Sequence, residues 1–252
     1  MKLKKNNIST EKLKKRLIFS LMIALLFIIV VVCVFRYIQY GEKSDEIPIA
    51  LRHSFEWNQK IWARISSSKN LSVKKPRPTK GQTPRVNGDV GLLSPADLKN
   101  YSVEIISGNK TFKLPVAAFH AGAKTDYATD FRCIEGWSEE MSYAGMRFSE
   151  LIKLYDIGKK PDGSYYSYVG LETPDHKYYV SIDMESMLHP QTVIAYEMND
   201  GPLSSDNGAP LRLMIPVKYG IKNLKRIGKI FFSDTRPRDY WAERGYDWYA
   251  GF

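Results

Sequence analysis

From Leu17 to Phe35 the chain reads LIFSLMIALLFIIVVVCVF, apolar on every face, with no charge in nineteen residues. At about 1.5 Å rise per residue, such a run spans roughly the 30 Å hydrocarbon core of a bilayer as a helix. It predicts one transmembrane helix over residues 17–38, and no A-x-A-like cleavage site follows as a signal peptide would need. Behind it, Ile49, Phe55, Trp57, Ile61, Trp62 and Ile65 give one greasy side to a predicted juxtamembrane helix within 45–68. SVKKPRPTKGQTPRVNGDVG, rich in Pro, Gly and Lys, reads as an extended linker over 69–90.

From residue 91 the apolar period shortens towards two. YSVEII alternates, SGNK supplies a turn and TFKLPVAAF follows, together a predicted hairpin. YYSYVGLET with KYYVSIDM, QTVIAYEMN with LRLMIPVKYG, and GKIFFSD read as further strands, and the chain around Cys133 reads as extended. FSELIKLYDI is the clearest helix, with Ser149 placed to cap its first turn and Leu151, Ile152 and Tyr155 on one face. Strands with few helices between them predict an α+β domain over 91–252, with a mixed, largely antiparallel sheet or barrel. The aromatic, arginine-rich ending RPRDYWAERGYDWYAGF is expected to pack against that body.

Charge adds an orientation. Of a net charge of +10, the opening MKLKKNNISTEKLKKR holds seven Lys/Arg against one Glu. Residues 1–16 therefore read as a basic cytoplasmic tail, and the positive-inside rule puts the rest of the chain outside. In a bacterium that is a single-pass inner-membrane protein whose domain faces the periplasm. The remainder is only mildly basic and gives no reason to invoke nucleic acid.

Cysteine usage then poses a question. The chain has two cysteines, and Cys33 lies inside the apolar run, so Cys133 in DFRCIEGWSEE has no partner within its own domain. A single thiol excludes Cys-rich zinc sites and ordinary iron–sulfur clusters, and neither C-x-x-C-H nor H-E-x-x-H occurs. Three roles stay open: core filler, nucleophile, or ligand of a metal centre. A nucleophile would imply a membrane-tethered cysteine transpeptidase with a base drawn from His53, His120, His176 or His189. FRCIEG lacks the contexts of the wall-transpeptidase families, and His120 and His176 read as loop or surface residues. Downstream, NDGPLSSDNGAPLRLMIPVKYGIKNLKRIGKI sets small residues before an apolar strand, then Arg212, Lys218, Lys222, Lys225, Arg226 and Lys229. A solvated lysine face is one reading. A phosphate-bearing cofactor held by backbone N–H groups, a guanidinium and lysine is the other.

FRCIEGWS, GMRFSELI, the run from MLHPQTVIAYEMNDGPL to KRIGKI and the closing RPRDYW together resemble the sulfite oxidase-type molybdopterin-binding domain, over roughly residues 83 to 245. Within it, they resemble the exported bacterial reductases of the methionine-sulfoxide reductase catalytic-subunit kind. The resemblance implies a molybdenum–molybdopterin cofactor, with Cys133 as the metal's thiolate ligand and Glu135 as a catalytic side chain beside it. It implies cofactor contacts from Asn87 and Gly88 in RVNGDVG, Thr173 in GLET, Asn207 and Arg212 in NGAPLR, and Asn223, Leu224 and Lys225. The implied reaction is oxygen-atom transfer, as reduction of a small-molecule or protein-bound sulfoxide or a related S- or N-oxide. Electrons would come from a separate membrane haem or other redox partner. Sulfite oxidation on the same fold and a cofactor-holding module without turnover are the alternatives. The chain departs from the family at Lys15–Arg16, where such reductases carry a twin-arginine signal, and it ends at Phe252, short of the dimerising domain of full sulfite oxidases.

Overall fold

A computed structural model describes residues 9–44, 46–65, 71–78, 84–93 and 98–251, the side chains of 62–65 excepted. The chain divides into two compact units, residues 1–57 and 58–252.

In the first unit, α1 (Thr10–Tyr40) is a 31-residue helix, and Ser9 caps it by accepting from Lys12 N. None of its residues is buried, although its apolar side chains reach all round the axis. A helix apolar on every side belongs in a core or a membrane, and α1 is long and apolar enough to cross one. Near the N-terminus, it fits an anchor or a signal sequence. Lys12 to Arg16 form its first turns. A small antiparallel pair, β1 (Lys43–Ser44) and β2 (Ile47–Pro48), follows. Then α2 (Ile49–Ile65) begins at residue 49, with Arg52 donating back to Ser44 O.

The second unit holds β3 (Ser102–Ser107), β4 (Lys110–Pro115), β5 (Lys124–Arg132), β6 (Ser138–Arg147), α3 (Phe148–Leu154), β7 (Tyr168–Glu172), β8 (Tyr179–Asp183), α4 (Met184–Met187), β9 (Val193–Met198), β10 (Gly201–Pro202), β11 (Arg212–Met214) and β12 (Lys229–Ser233). One sheet has the order β4-β3-β12-β7-β8, antiparallel except where β12 runs beside β3. The other has the order β10-β9-β6-β5, with β11 also on β9. This is the α+β, largely antiparallel architecture that the strand periodicity predicts. Ser149 does not cap α3. The cap position falls on Arg147, because the amide of Phe148 is taken by Thr192 O.

Strand periodicity sorts the core. Successive strand residues face opposite sides, so Ile194 of β9 joins a large core with Val103, Ile105, Leu171, Ile182 and Ile230. Its neighbours Val193 and Ala195 face a smaller cluster with Tyr127, Met141, Tyr143 and Met214. β6 passes β9 very closely at a register shift between Ala144 and Gly145. A Cβ on Gly145 would stand 2.0 Å from Ile194 O, so only glycine admits that approach.

Residues 71–78 of the linker form neither helix nor strand, and they are docked. Lys75 N donates to Ala128 O of β5, and Ser72 exchanges two hydrogen bonds with the Gln191 side chain. Lys75 pairs with Asp130, while Arg77 bridges Asp126 and Asp200. The C-terminal segment packs as expected: Trp248 is buried and its Nε1 donates to Ser181 Oγ at 2.6 Å.

Candidate active site

Around Cys133 the chain turns, where the sequence reads as extended. β5 and β6 stay in register up to Arg132 and Ser138, which leaves Cys133–Trp137 as the hairpin connection. Cys133 N donates to Trp137 O, and Gly136 N, at a φ of 91°, donates to Cys133 O. Three to five residues with one left-handed glycine is common hairpin geometry. It lifts the thiol to the hairpin tip, where it is 8% exposed.

Asn87 ties the tip together. Its Nδ2 lies 3.9 Å from Cys133 Sγ and donates to Glu135 Oε2 at 3.0 Å. Trp137 Nε1 donates to the same oxygen, also at 3.0 Å. These two bonds, Trp137's first, together with the charge of Arg85, hold the Glu135 carboxyl below the usual range. Glu135 is therefore an ionised acceptor at neutral pH and a poor proton donor. The Arg85 guanidinium lies 4.7 Å over the Trp137 ring.

Beside the thiol lies a cationic cradle. Lys225 Nζ donates to Asn87 O at 2.8 Å, to Asp206 O at 3.0 Å and to Gly88 O at 3.4 Å, pinning the Asn87 loop to the turn before β11. That turn packs hard on Lys225: Gly208 has φ 97°, and a Cβ there would come within 2.7 Å of the lysine's own Cβ. Asn207 is held by Ser204 Oγ, and its carbonyl accepts from Arg212 Nη1 at 3.2 Å. Arg212 is 2% exposed, between the rings of Phe131 and Tyr143. Its Nε has no hydrogen-bond partner among the described residues, and no carboxylate there pairs with its charge. A buried, unpaired cation is costly. An anion delivered to this spot would remove the cost.

The side chains of the other residues implied by the resemblance are hydrogen-bonded or packed within the protein. Thr173 is fully buried, its hydroxyl donating to Asp175 Oδ1 at 2.7 Å and accepting from Tyr178 N. The Asn223 side chain is spent inside its own loop: Oδ1 accepts from Ile215 N, and Nδ2 donates to Lys218 O and Tyr219 O. Leu224 is a core residue whose carbonyl accepts from Leu213 N. The basic run splits as well. Lys218 and Lys222 are buried against Asp183 and Asp239, Arg226 donates to Ala209 O, Leu92 O and Ser205, and Lys229 pairs with Glu104. Of the five, only Lys225 donates to both the Asn87 loop and the turn before β11; the solvated lysine face is not what the fold builds.

Titration of these lysines sets a stability profile. Lys225 is pushed down to about 8, by burial and then by the charge of Arg212. Lys218 is also pushed down to about 8, by burial that Asp183 offsets only in part. Unfolded, both titrate near 10.5, so above pH 8 the folded chain holds fewer protons and stability rises with pH. Burial raises Tyr127, Tyr143 and Tyr178 above their ordinary value of 10, so beyond that pH the folded chain holds more protons and stability falls. Urea midpoints of the metal-free protein are expected to rise from pH 8 and to peak near the ordinary tyrosine value of 10.

Histidine catalysis finds no support at Cys133. His120 stacks on Tyr196, His176 pairs with Glu172 and His189 accepts from Gln191 N. Among the described residues no hydrogen bond joins any histidine to the thiol, and none form a cluster of three or more metal-ligating side chains. A lone soft thiol beside a cationic cradle suits a metal that brings its own anionic, sulfur-bearing carrier.

The family described as the oxidoreductase molybdopterin binding domain matches residues 91–241, more than half of the chain. The chain belongs to that family. The resemblance read from FRCIEGWS and NGAPLR stands, and with it the molybdenum–molybdopterin cofactor. The family match begins after Asn87 and Gly88, which reach the site through Lys225 and Glu135. A putative protein-methionine-sulfoxide reductase subunit YedZ1 of Azospira oryzae is 36% identical over 132 residues, 52% of this chain and 48% of its own length. The protein-methionine-sulfoxide reductase catalytic subunit MsrP of Campylobacter jejuni is 33% identical over 138 residues, 48% of this chain and 45% of its own. The chain thus spans about half the length of these curated relatives. The sulfane dehydrogenase SoxCD of Paracoccus pantotrophus shares the fold, with a TM-score of 0.50 and 18% identity over 57% of this chain and 40% of its own.

Two side chains around Glu135 carry no signal in the linear pattern beyond spacing. Trp137 reads as packing, yet it stands two residues after Glu135 on one turn and hydrogen-bonds it. Arg85 reads as one more base of the linker, yet it covers that indole.

Proposed function

We propose that this protein is a membrane-anchored, molybdenum-dependent oxidoreductase that reduces a sulfoxide, or a related S- or N-oxide, by oxygen-atom transfer. One observation carries the reading: a single buried thiol, Cys133, shares a site with the unpaired buried cation Arg212 on a chain of this family. A bound molybdenum cofactor supplies two-electron oxygen-atom chemistry. Cys133 would ligate the metal, and a soft thiolate suits it. Arg212 and Lys225 would receive the cofactor's phosphate, with the backbone of Asn207 and Gly208 close behind. Asn87 and Trp137 hold the Glu135 carboxylate beside the thiol, where it orients polar groups and fixes local charge. Protons for the reaction would come from water at the exposed side of Glu135.

The names of the relatives support the direction, reduction of a sulfoxide, free or in a protein. Lys12 to Arg16 on the first turns of α1 support a single span of the cytoplasmic membrane with the domain on the periplasmic side. Electrons would arrive from a separate membrane redox partner, such as a haem protein.

Purified full-length protein is expected to carry molybdenum and pterin at near one-to-one stoichiometry and to oxidise a reduced dye when methionine sulfoxide is added. Folded protein that stays free of molybdenum in a host that makes the cofactor overturns the reading. Loaded protein that passes electrons to no S- or N-oxide reduces it to a cofactor-holding module.

A further inference from the structure

Among the described residues, the buried side-chain atoms without a hydrogen-bond partner include Arg212 Nε and the hydroxyl of Tyr143, and the Arg212 guanidinium lies over the Tyr143 ring. Tyr143 is wholly buried in the smaller core cluster, on the face of the second sheet that also carries Tyr127, Ala195 and Met214. Arg212, two residues before Met214 on β11, projects from the same face. The small side chain of Ala195, its cross-strand neighbour on β9, leaves it room, and its Cζ sits 5.5 Å from the Tyr143 ring centroid. The two tyrosines of this face differ in one respect. Tyr127 donates its hydroxyl to Gln191 O, whereas the hydroxyl of Tyr143 has no hydrogen-bond partner among the described residues.

We propose that Tyr143 is a further anion-binding residue of the cofactor site, its hydroxyl donating beside Arg212 to the phosphate end of the cofactor. The inference rests on the molybdopterin reading above. A hydroxyl shut away from water with no partner is costly, and the guanidinium over its ring also has an unbonded N–H, at Nε, and no carboxylate among the described residues to balance its charge. One ligand cures both, and its charge sign is set by Arg212. Burial raises the Tyr143 pKa, with Arg212 countering it in part, so the hydroxyl keeps its proton and can donate at neutral pH. The sequence gives no hint of this, because a tyrosine in an alternating strand reads as ordinary core.

The test compares Tyr143→Phe with Tyr127→Phe in the full-length protein. Molybdenum and pterin per chain are measured after dialysis, and the unfolding midpoint of cofactor-free protein is measured separately. Tyr143→Phe is expected to hold the cofactor about tenfold more weakly, as loss of a hydrogen bond to a charged group implies. Its cofactor-free midpoint should equal or exceed that of the wild type. Tyr127→Phe should do the reverse, with a lower midpoint and unchanged retention. Wild-type retention in Tyr143→Phe overturns the inference. So does a cofactor-free midpoint that falls as far as in Tyr127→Phe, since the hydroxyl would then have a protein partner. Wild-type protein devoid of molybdenum overturns the reading under Proposed function, and this inference with it.

Discussion

Cys133→Ser protein is expected to fold like the wild type and to lose at least about a hundredfold in sulfoxide turnover. Folding should survive because the sulfur does little in the scaffold. Its one hydrogen-bond partner among the described residues is Asn87 Nδ2 at 3.9 Å, and the turn is closed by the main chain of Cys133, Gly136 and Trp137. Turnover should not survive, because a hydroxyl is a hard, weakly acidic group where a soft thiolate is needed. Losing an outer-shell partner of a metal ligand already costs tenfold to a hundredfold, and losing the ligand should exceed that. Circular dichroism checks the first half, and dye-linked turnover with X-ray absorption at the molybdenum edge checks the second. Undiminished turnover, with no sulfur lost from the metal's shell, would show that Cys133 is core filler after all.

Asp239→Ala is expected to destabilise the protein by about 3–5 kcal/mol, the usual cost of stranding one member of a buried ion pair. Asp239 and Lys222 are both almost wholly enclosed. Asp239 also accepts from Ser181 N at 3.0 Å and Ala242 N at 3.1 Å. Burial pushes the Lys222 pKa down, and Asp239 is the main group opposing it. With the carboxylate gone, the ammonium keeps Ser181 O at 3.2 Å, the Trp248 ring at 5.2 Å and the weaker pull of Asp247 and Asp183. The double variant Asp239→Ala, Lys222→Met should recover much of the loss, since no stranded charge is then left. Urea unfolding of the three proteins is the measurement. A loss below about 1 kcal/mol would mean that water reaches the pair.

What the sequence shows of this fold is what local periodicity can carry. Alternation finds the strands, and turn residues such as SGNK place the β3–β4 hairpin. Alternation does not say which strands share a sheet, so the parallel contact of β3 with β12 is invisible in it. At the site, Cys133, Glu135, Asn87, Arg212 and Lys225 do come together, though Asn87 and Lys225 are 138 residues apart. The lysines are the instructive failure. Lys218, Lys222 and Lys225 look alike in sequence, since charge is legible there and burial is not. Folding sends the first two inward to Asp183 and Asp239 and leaves the third at the cradle. Trp137 and Tyr143 were hidden for a related reason. An aromatic side chain advertises its ring, while its N–H or O–H has a meaning only once its neighbours are known.

Residues 71–78 have one more consequence. β5 is a terminal strand, and an open margin of a sheet invites foreign strands to pair with it. Here the chain supplies its own guard rail, fastened by one main-chain bond to Ala128 and by basic side chains facing carboxylates. Concentrated salt weakens such fastenings first, so self-association of the domain should begin along that rim.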